Sequence, residues 1–212
     1  YFDLATLVTL SEKKEEDILS ILKDVSEEGM INQIDNIYQF SHDRILEAAY
    51  SLLSDDEKSK QHYRIGNLEL QKVNKQELDK KIFYIVNHLN VGVSLVSGES
   101  EKKHLAELNL MAGKKALASS AYASALNYLQ SGIALLHENS WQENYDFTLE
   151  LYQGAIRAAQ LSADYEVLNT LTALVLKNAR SIMDTITIYE ANIFACIAQN
   201  QLLEGIRIGL RV

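Results

Sequence analysis

The chain of 212 residues contains no proline at all. Average usage is about 5% proline, so a protein of this length would normally hold roughly ten. Glycine is also scarce, with nine residues. Tight turns between β-strands recruit these two residue types, whereas helices joined by short connections need few of them. The sequence therefore predicts a mostly α-helical fold and disfavours sandwiches, barrels and doubly wound sheets.

The charge balance restricts the class of partner. The formal net charge is −9, and binding to nucleic acid or to an anionic membrane surface depends on an excess of Lys and Arg. We therefore expect neither a nucleic acid nor a membrane as partner. No run of about 18 apolar residues predicts a membrane span. The single cysteine, Cys196, cannot form an internal disulfide and is compatible with the reducing cytoplasm, where we expect the protein to reside.

Residues 1–53 differ in pattern from the rest of the chain. Ser11 is the predicted N-cap of a helix that ends at Gly29, a residue type suited to the left-handed conformation after a helix. Residues 30–40 alternate loosely, which predicts two short strands and a turn. Ser41 is the predicted N-cap of a further helix. The apolar face of that helix would consist of Ile45, Leu46, Ala49, Tyr50 and Leu53. Two helices, a hairpin and a further helix in about 50 residues indicate the C-terminal part of a winged-helix domain that lacks its first part.

Residues 54–212 carry helical periodicity throughout. Successive apolar positions predict helices over 55–73, 76–90, 101–120, 122–137, 144–162, 165–180, 184–200 and from 202 onward. Three of the turns share a pattern: Tyr122, Tyr165 and Leu202 are followed three residues later by Ala125, Leu168 and Gly205. The spacings are 43 and 37 residues. Because each helical hairpin must bury its apolar face against the next, the pattern predicts a stacked α-α superhelix.

One of these hairpins resembles a tetratricopeptide repeat. The residues that carry the resemblance are Gly113, Ala125, Leu129 and Gly132. Small residues twelve positions apart, at 113 and 125, let two helices cross closely, because bulky side chains would force them apart. The other two hairpins depart from the family pattern, since Ile156 and Ile193 stand where the first has Gly113. The resemblance implies a degenerate tetratricopeptide-like array.

Longer strings along the chain point to a wider context. They are YQFSHDR at 38–44, AAYSLL at 48–53, HYRIG at 62–66, IVNHLN at 85–90 and AELNLMAGKKA at 106–116. In this order they resemble the middle of large bacterial, cyanobacterial-type signalling proteins. Those proteins join a serine/threonine kinase, a STAND/AAA ATPase, a helical array, a GAF sensor and a histidine kinase. The resemblance implies that this chain is a piece of such a parent and follows its nucleotide-binding part.

Sequence patterns for catalysis are absent. The chain has no Gly-rich phosphate loop, no dinucleotide fingerprint and none of the kinase strings. We therefore expect no catalytic residue, no cofactor, no metal and no small-molecule substrate. Two alternatives involve His42: it could accept a phosphoryl group, or it could bind a metal together with Asp43. We favour a simple helix start for both residues.

Two further features have a functional and a structural interpretation. The helix predicted over 12–28 would be the DNA-reading helix of a winged helix, but its acidic side chains would repel phosphates, so we expect it to pack against protein. Aromatic residues cluster around the best repeat: Tyr122, Tyr128, Trp141, Tyr145 and Tyr152. We expect inter-helix packing more than binding, and keep these five residues as a candidate protein-interaction groove.

The sequence thus predicts a non-catalytic helical scaffold in a signal-transduction kinase, coupling an upstream ATPase module to downstream sensor or kinase domains. Its partners would be other domains of the same parent or separate proteins. The alternative is the ligand- or protein-sensing array of a large ATP-dependent transcriptional activator. Flanking domains separate the two, because a kinase domain indicates the first and a terminal helix-turn-helix indicates the second.

Overall fold

A computed structural model describes residues 2–11, 13–35 and 37–210. Within these ranges the chain is mostly helical with one small sheet, as predicted. Contacts divide it into two compact units, the first comprising Tyr1–Leu78 with Asn87–Leu95 and the second Asp79–Val86 with Val96–Val212. The predicted division at residue 53 into a winged-helix part and a repeat array stays a prediction, because compactness does not identify either kind of domain.

The first unit combines short strands with helices. Its elements are β1 (Phe2–Asp3), α1 (Leu4–Ser11), α2 (Glu15–Glu27), β2 (Ile31–Ile34), β3 (Ile37–Phe40), α3 (Asp43–Ser51) and α4 (Asp55–Lys72). Helix α5 (Lys75–Val91) contributes residues to both units, and a short 3-10 turn follows at Val93–Leu95. In the described ranges no helix combines the length and apolar content needed to cross a bilayer.

The predicted hairpin is confirmed and gains a third strand. Strands β2 and β3 pair antiparallel, with Ile31 opposite Phe40, and β1 adds to the other edge of β3, with Phe2 opposite Tyr38. Gly29 has φ +72° just before β2, as its residue type indicated. Buried side chains from α2 and the sheet form a small core: Ile18, Leu22, Ile31 and Tyr38.

Two predicted helix caps in the first unit are wrong. Ser11 ends α1, and Lys14 is the N-cap of α2, without a side-chain hydrogen bond. His42, not Ser41, is the N-cap of α3, and the Ser41 hydroxyl is buried without a hydrogen-bond partner among the described residues. Helix α1 is the first of the two helices expected before the hairpin, whereas strand β1 was not predicted. The sequence pattern misses β1 because it is two residues long and pairs with β3, which is distant in the chain.

The apolar face predicted for α3 is not buried. None of its residues reaches full burial, and Leu46 and Tyr50 are exposed. By contrast, α4 begins at the predicted Asp55 and is held by a capping box, in which the Glu57 amide donates to the Ser54 hydroxyl and the Ser54 amide donates to the Glu57 carboxylate.

Helices α4 and α5 approach closely where glycine removes a side chain. A Cβ on Gly66 would lie 2.7 Å from Leu89 Cγ, and a Cβ on Gly92 would lie 2.6 Å from Tyr63 Cβ. Neither contact leaves room for a methyl group. The two glycines therefore set the separation of these helices within the first unit.

The second unit is a succession of helical hairpins. Its helices are α6 (Glu99–Ala118), α7 (Tyr122–Ala134), the single turn α8 (Ser140–Glu143), α9 (Tyr145–Leu161), α10 (Tyr165–Asn178), α11 (Met183–Ala198) and α12 (Leu202–Gly209). The pairs α6/α7, α9/α10 and α11/α12 pack within each hairpin, and α9 packs on α7 while α11 packs on α9 and α10. One continuous core of buried side chains runs from α6 to α11.

The three hairpin turns have the same backbone geometry. Ser120, Ala163 and Asn200 adopt left-handed conformations, with φ of 59°, 59° and 58°. The residue after each donates back to the last helical turn: Ala121 N to Ala116 O at 2.9 Å, Asp164 N to Ala159 O at 2.9 Å, and Gln201 N to Cys196 O at 2.7 Å. This is the Schellman termination of a helix. The turns recur at the 43- and 37-residue spacings found in the sequence.

Because Ala163 occupies a left-handed position that disfavours a Cβ, Ala163→Gly is expected to stabilise the second unit by about 0.5–1 kcal/mol. Urea unfolding followed by fluorescence of Trp141, the single tryptophan, measures the change. Ala173→Gly on the exposed side of α10 is the matched control. It should destabilise by about 1 kcal/mol, because glycine disfavours a helix interior. If both variants changed the free energy of unfolding in the same direction, the proposed strain at Ala163 would be refuted.

Candidate functional site

The predicted packing residues meet around one buried leucine. Leu129 of α7 is 0% exposed. A Cβ on Gly113 of α6 would lie 2.5 Å from Leu129 Cγ, and a Cβ on Gly154 of α9 would lie 3.3 Å from Leu129 Cδ2. Leu129 is therefore enclosed by glycine-bearing surfaces of two neighbouring helices. The missing side chain of Gly113 faces Leu129 most closely, rather than the predicted partner Ala125.

The other two predicted packing residues lie in the same interface. Ala125 is fully buried. A Cβ on Gly132 would lie 2.9 Å from Leu151 Cδ2 of α9 and 3.3 Å from Asn109 Cβ of α6. The small residues at 113, 125 and 132 thus let α6, α7 and α9 pack with little space between them.

The five aromatic residues do not form one exposed stripe. Trp141 lies 5.9 Å from the Tyr145 ring and 5.0 Å from the Tyr152 ring, measured between centroids. Tyr145 and Tyr152 are each 9% exposed, and burial raises the pKa of Tyr152. Tyr128 stacks on Phe83 at 5.6 Å, and Tyr122 is half-buried at the start of α7. These contacts are inter-helix packing, and a binding role for the aromatic residues stays a prediction.

A polar cluster ties the start of α9 to the segment between α10 and α11. The Tyr145 hydroxyl donates to Asp184 Oδ2 at 2.6 Å and accepts from the Arg180 amide at 2.9 Å. The Arg180 guanidinium lies 4.0 Å from the Tyr145 ring centroid and donates to the Trp141 carbonyl at 2.9 Å. The Ser181 amide also donates to Asp184 Oδ2. The cluster joins successive hairpins through side chains more than thirty residues apart.

The ionisation of this cluster favours a structural role. The hydrogen bond from Tyr145 lowers the pKa of Asp184, so the carboxylate is charged at neutral pH. Burial, followed by the bond to Asp184, raises the pKa of Tyr145, so the phenol keeps its proton. Because the pKa of Asp184 is lowered on folding, its contribution to stability is present above its ordinary pKa and lost under stronger acid. Neither group is activated as a nucleophile or a base.

An open cleft lies beside the aromatic cluster. It has a volume of about 380 Å³ and is lined mainly by the first turn of α6, the segment after α7, and the residues that lead into α9. The Lys103 ammonium group donates to the Asn144 amide oxygen at 3.3 Å at its edge, and Phe147 supplies apolar surface. The described residues contain no group of three or more His, Cys, Asp or Glu side chains that could hold a metal ion.

The remaining candidate residues named from the sequence lie outside the polar cluster and the cleft. His42 is exposed at the start of α3, and Asp43 is the first residue of that helix. Cys196 is buried in α11, where burial raises the pKa of its thiol. The sequence analysis missed the Tyr145, Arg180 and Asp184 cluster, since Tyr145 is more than thirty residues from the other two and no local pattern records their proximity.

Comparisons with known proteins give limited similarity. A scan of protein-family models found no match, and no solved structure matches the chain. Among curated proteins, the chain is similar to hybrid signal transduction histidine kinase G of Dictyostelium discoideum, with 33% identity over 147 aligned residues. The alignment covers 58% of this chain and 4% of that protein. The chain is therefore similar to a short segment of a much longer signalling kinase.

Proposed function

We propose that this chain is a non-catalytic helical interaction segment of a multi-domain signal-transduction kinase. The observation that carries the proposal is the similarity to a segment of a hybrid histidine kinase. The stacked hairpins of the second unit agree with such a role, because their small and apolar residues pack in the contacts between successive helices. The same segment in the relative is a small part of a protein whose name denotes kinase activity.

The finer proposal concerns mechanism. The first 53 residues are the remnant of a winged helix, and the following helices are a tetratricopeptide-like superhelix. Together they couple an upstream STAND/AAA ATPase module to downstream sensor or kinase domains in the cytoplasm. Tight contacts such as Gly113–Leu129 resist small deformations. A change at one end would therefore shift whole hairpins as packed bodies.

Partners would be other domains of the same parent or separate proteins. The cleft beside Phe147 offers them a concave surface of mixed polarity. The transcriptional-activator alternative remains a different class of parent. The kinase relative favours the signalling-kinase proposal over it, because the matched protein is named for phosphotransfer and not for transcription.

The proposal predicts that the purified chain neither hydrolyses nor transfers phosphate from Mg-ATP. Phosphate release should equal that of a blank, and intact-mass analysis should find no phosphoryl group on the chain. Labelling that disappears in His42→Ala and persists in His137→Ala would instead identify a phosphorelay domain and contradict the scaffold role.

Reading the open reading frame around this segment supplies the second test. An encoded kinase domain supports the proposal, whereas a terminal helix-turn-helix domain without a kinase overturns it in favour of the activator.

A further inference from the structure

Three aromatic rings form a chain across helices α3, α4 and α5 of the first unit. The rings of His62 on α4 and His88 on α5 lie 4.7 Å apart between centroids, with planes inclined by 33°. Tyr50 on α3 meets the edge of His62, and its hydroxyl lies 3.2 Å from His62 Nε2. The Nδ1 atom of His62 is buried without a hydrogen-bond partner among the described residues. A protonated pair would bring two positive charges into ring contact.

Helix α3 is joined to α4 through this cluster and also packs on β3. None of its side chains is fully buried, and Leu46 is 45% exposed. Tyr50 links it to α4 through His62 and through Lys58, whose ammonium group lies 5.1 Å from the Tyr50 ring centroid. Few buried apolar contacts and one aromatic link are the features of a segment that opens locally at low free-energy cost.

Burial favours neutral imidazoles in this pair. Titratable and charged groups near the rings include Tyr50 from α3 and Lys58 and Glu69 from α4. Burial, followed by the charge of His62, lowers the pKa of His88 to about 4, against an opposite effect from Glu69. Burial also lowers the pKa of His62. Both rings are therefore neutral at pH 7.

We propose that Tyr50, His62 and His88 form an acid-operated latch, which holds α3 on α4 while both imidazoles are neutral and releases it when they are protonated. The inference is independent of the proposed function, since it concerns packing within the first unit alone. Its consequence is a hinge after the small sheet that responds to pH. Helix α3 lies between the hairpin and the long helices in the chain, so α3 is the element that moves when the latch opens.

The direction of the effect follows from proton linkage. An exposed histidine has a pKa near 6.5, whereas burial lowers the pKa of His62, the imidazole that Tyr50 contacts, in the latched state. The latched state therefore binds fewer protons, and its stability is complete above pH 6.5 and falls as the pH is lowered. The neighbouring imidazole of His88 has a lowered pKa as well, so protonation of either ring is disfavoured while the rings are in contact.

Hydrogen exchange of the whole chain at pH 7.5, 6 and 5 tests the latch, after correction for intrinsic exchange rates. Protection of 43–51 should fall severalfold across this range, while protection of α9 in the second unit changes less than twofold. The double variant His62→Gln/His88→Gln should lose the pH dependence of 43–51. His42→Gln is the matched control, because His42 is exposed on the same helix, and should respond as the unaltered chain does.

Histidine NMR titration of the unaltered chain provides a measurement that no folding defect of a variant can obscure. Midpoints for His62 and His88 below 6.5 support the latch, and a midpoint at or above 6.5 for either overturns it. The inference also fails if protection of 43–51 is equal at pH 7.5 and pH 5. It fails again if acid lowers protection equally in both units, because that result would be global unfolding.

Discussion

Leu129→Ala is expected to destabilise the second unit by about 3–4 kcal/mol, among the largest effects of any single substitution in this chain. Leu129 is 0% exposed and has helices on both sides, so truncation leaves a cavity that the surroundings cannot close. The glycines at 113 and 154 have no side chains that could move into the space. Both the lost transfer free energy and the cavity therefore contribute.

Urea unfolding monitored by Trp141 fluorescence measures this loss, since Trp141 packs against Tyr145 and Tyr152 in the same core. Leu203→Ala is the matched control: Leu203 is 75% exposed on α12, and its truncation should change stability by less than about 0.5 kcal/mol. A loss below about 1 kcal/mol for Leu129→Ala would contradict the central position of this leucine.

Gly113→Val is expected to destabilise the second unit by about 3 kcal/mol. Here the cause is overpacking, the opposite of the cavity that Leu129→Ala leaves. Its Cβ would lie 2.5 Å from Leu129 Cγ, so the helices must separate or Leu129 must leave its rotamer. The better helix propensity of valine offsets only a few tenths of a kcal/mol. Gly209→Val is the control, because a Cβ there would be 3.7 Å from Ile193 Cδ1, an ordinary contact. The same urea titration should find Gly209→Val within about 0.5 kcal/mol of the unaltered chain.

The double variant Gly113→Val/Leu129→Ala makes this prediction sharper. Valine adds three carbon atoms at one side of the contact, and truncation of leucine removes three from the other. The swap conserves volume, so the loss should be smaller than the sum of the single losses by about 2 kcal/mol. Additive losses would mean that the two side chains do not share one space, and the contact between Gly113 and Leu129 would be refuted.

Helix positions were largely predictable because they depend on local periodicity. The helices predicted over 76–90, 144–162 and 184–200 begin and end within two residues of α5, α9 and α11. The hairpin of β2 and β3 was predictable for the same reason. Caps failed at Ser11 and Ser41, since a serine hydroxyl has several acceptors and donors within reach and composition does not select among them.

For the candidate sites too, features that depend on local spacing were predictable and contacts between distant residues were not. Small residues at 113, 125 and 132 were recognisable from spacing, although the contact of Gly113 with Leu129 was not. The hydrogen bonds of Tyr145 with Arg180 and Asp184, and the ring contact of His62 with His88, were not predictable at all. Each joins residues that are distant in the chain, and their proximity depends on the packing of several helices.

The three hairpin turns show which features of this protein the sequence alone determines. It determined the helical class, the positions of most helices and the 43- and 37-residue spacings, because apolar periodicity is a local property. Only the tertiary structure decided that Ser120, Ala163 and Asn200 share one left-handed conformation, that Leu129 is enclosed by two glycines, and that α3 keeps its apolar face exposed. Those outcomes depend on which surfaces meet, and that is settled by packing across the whole chain rather than by any single stretch of it.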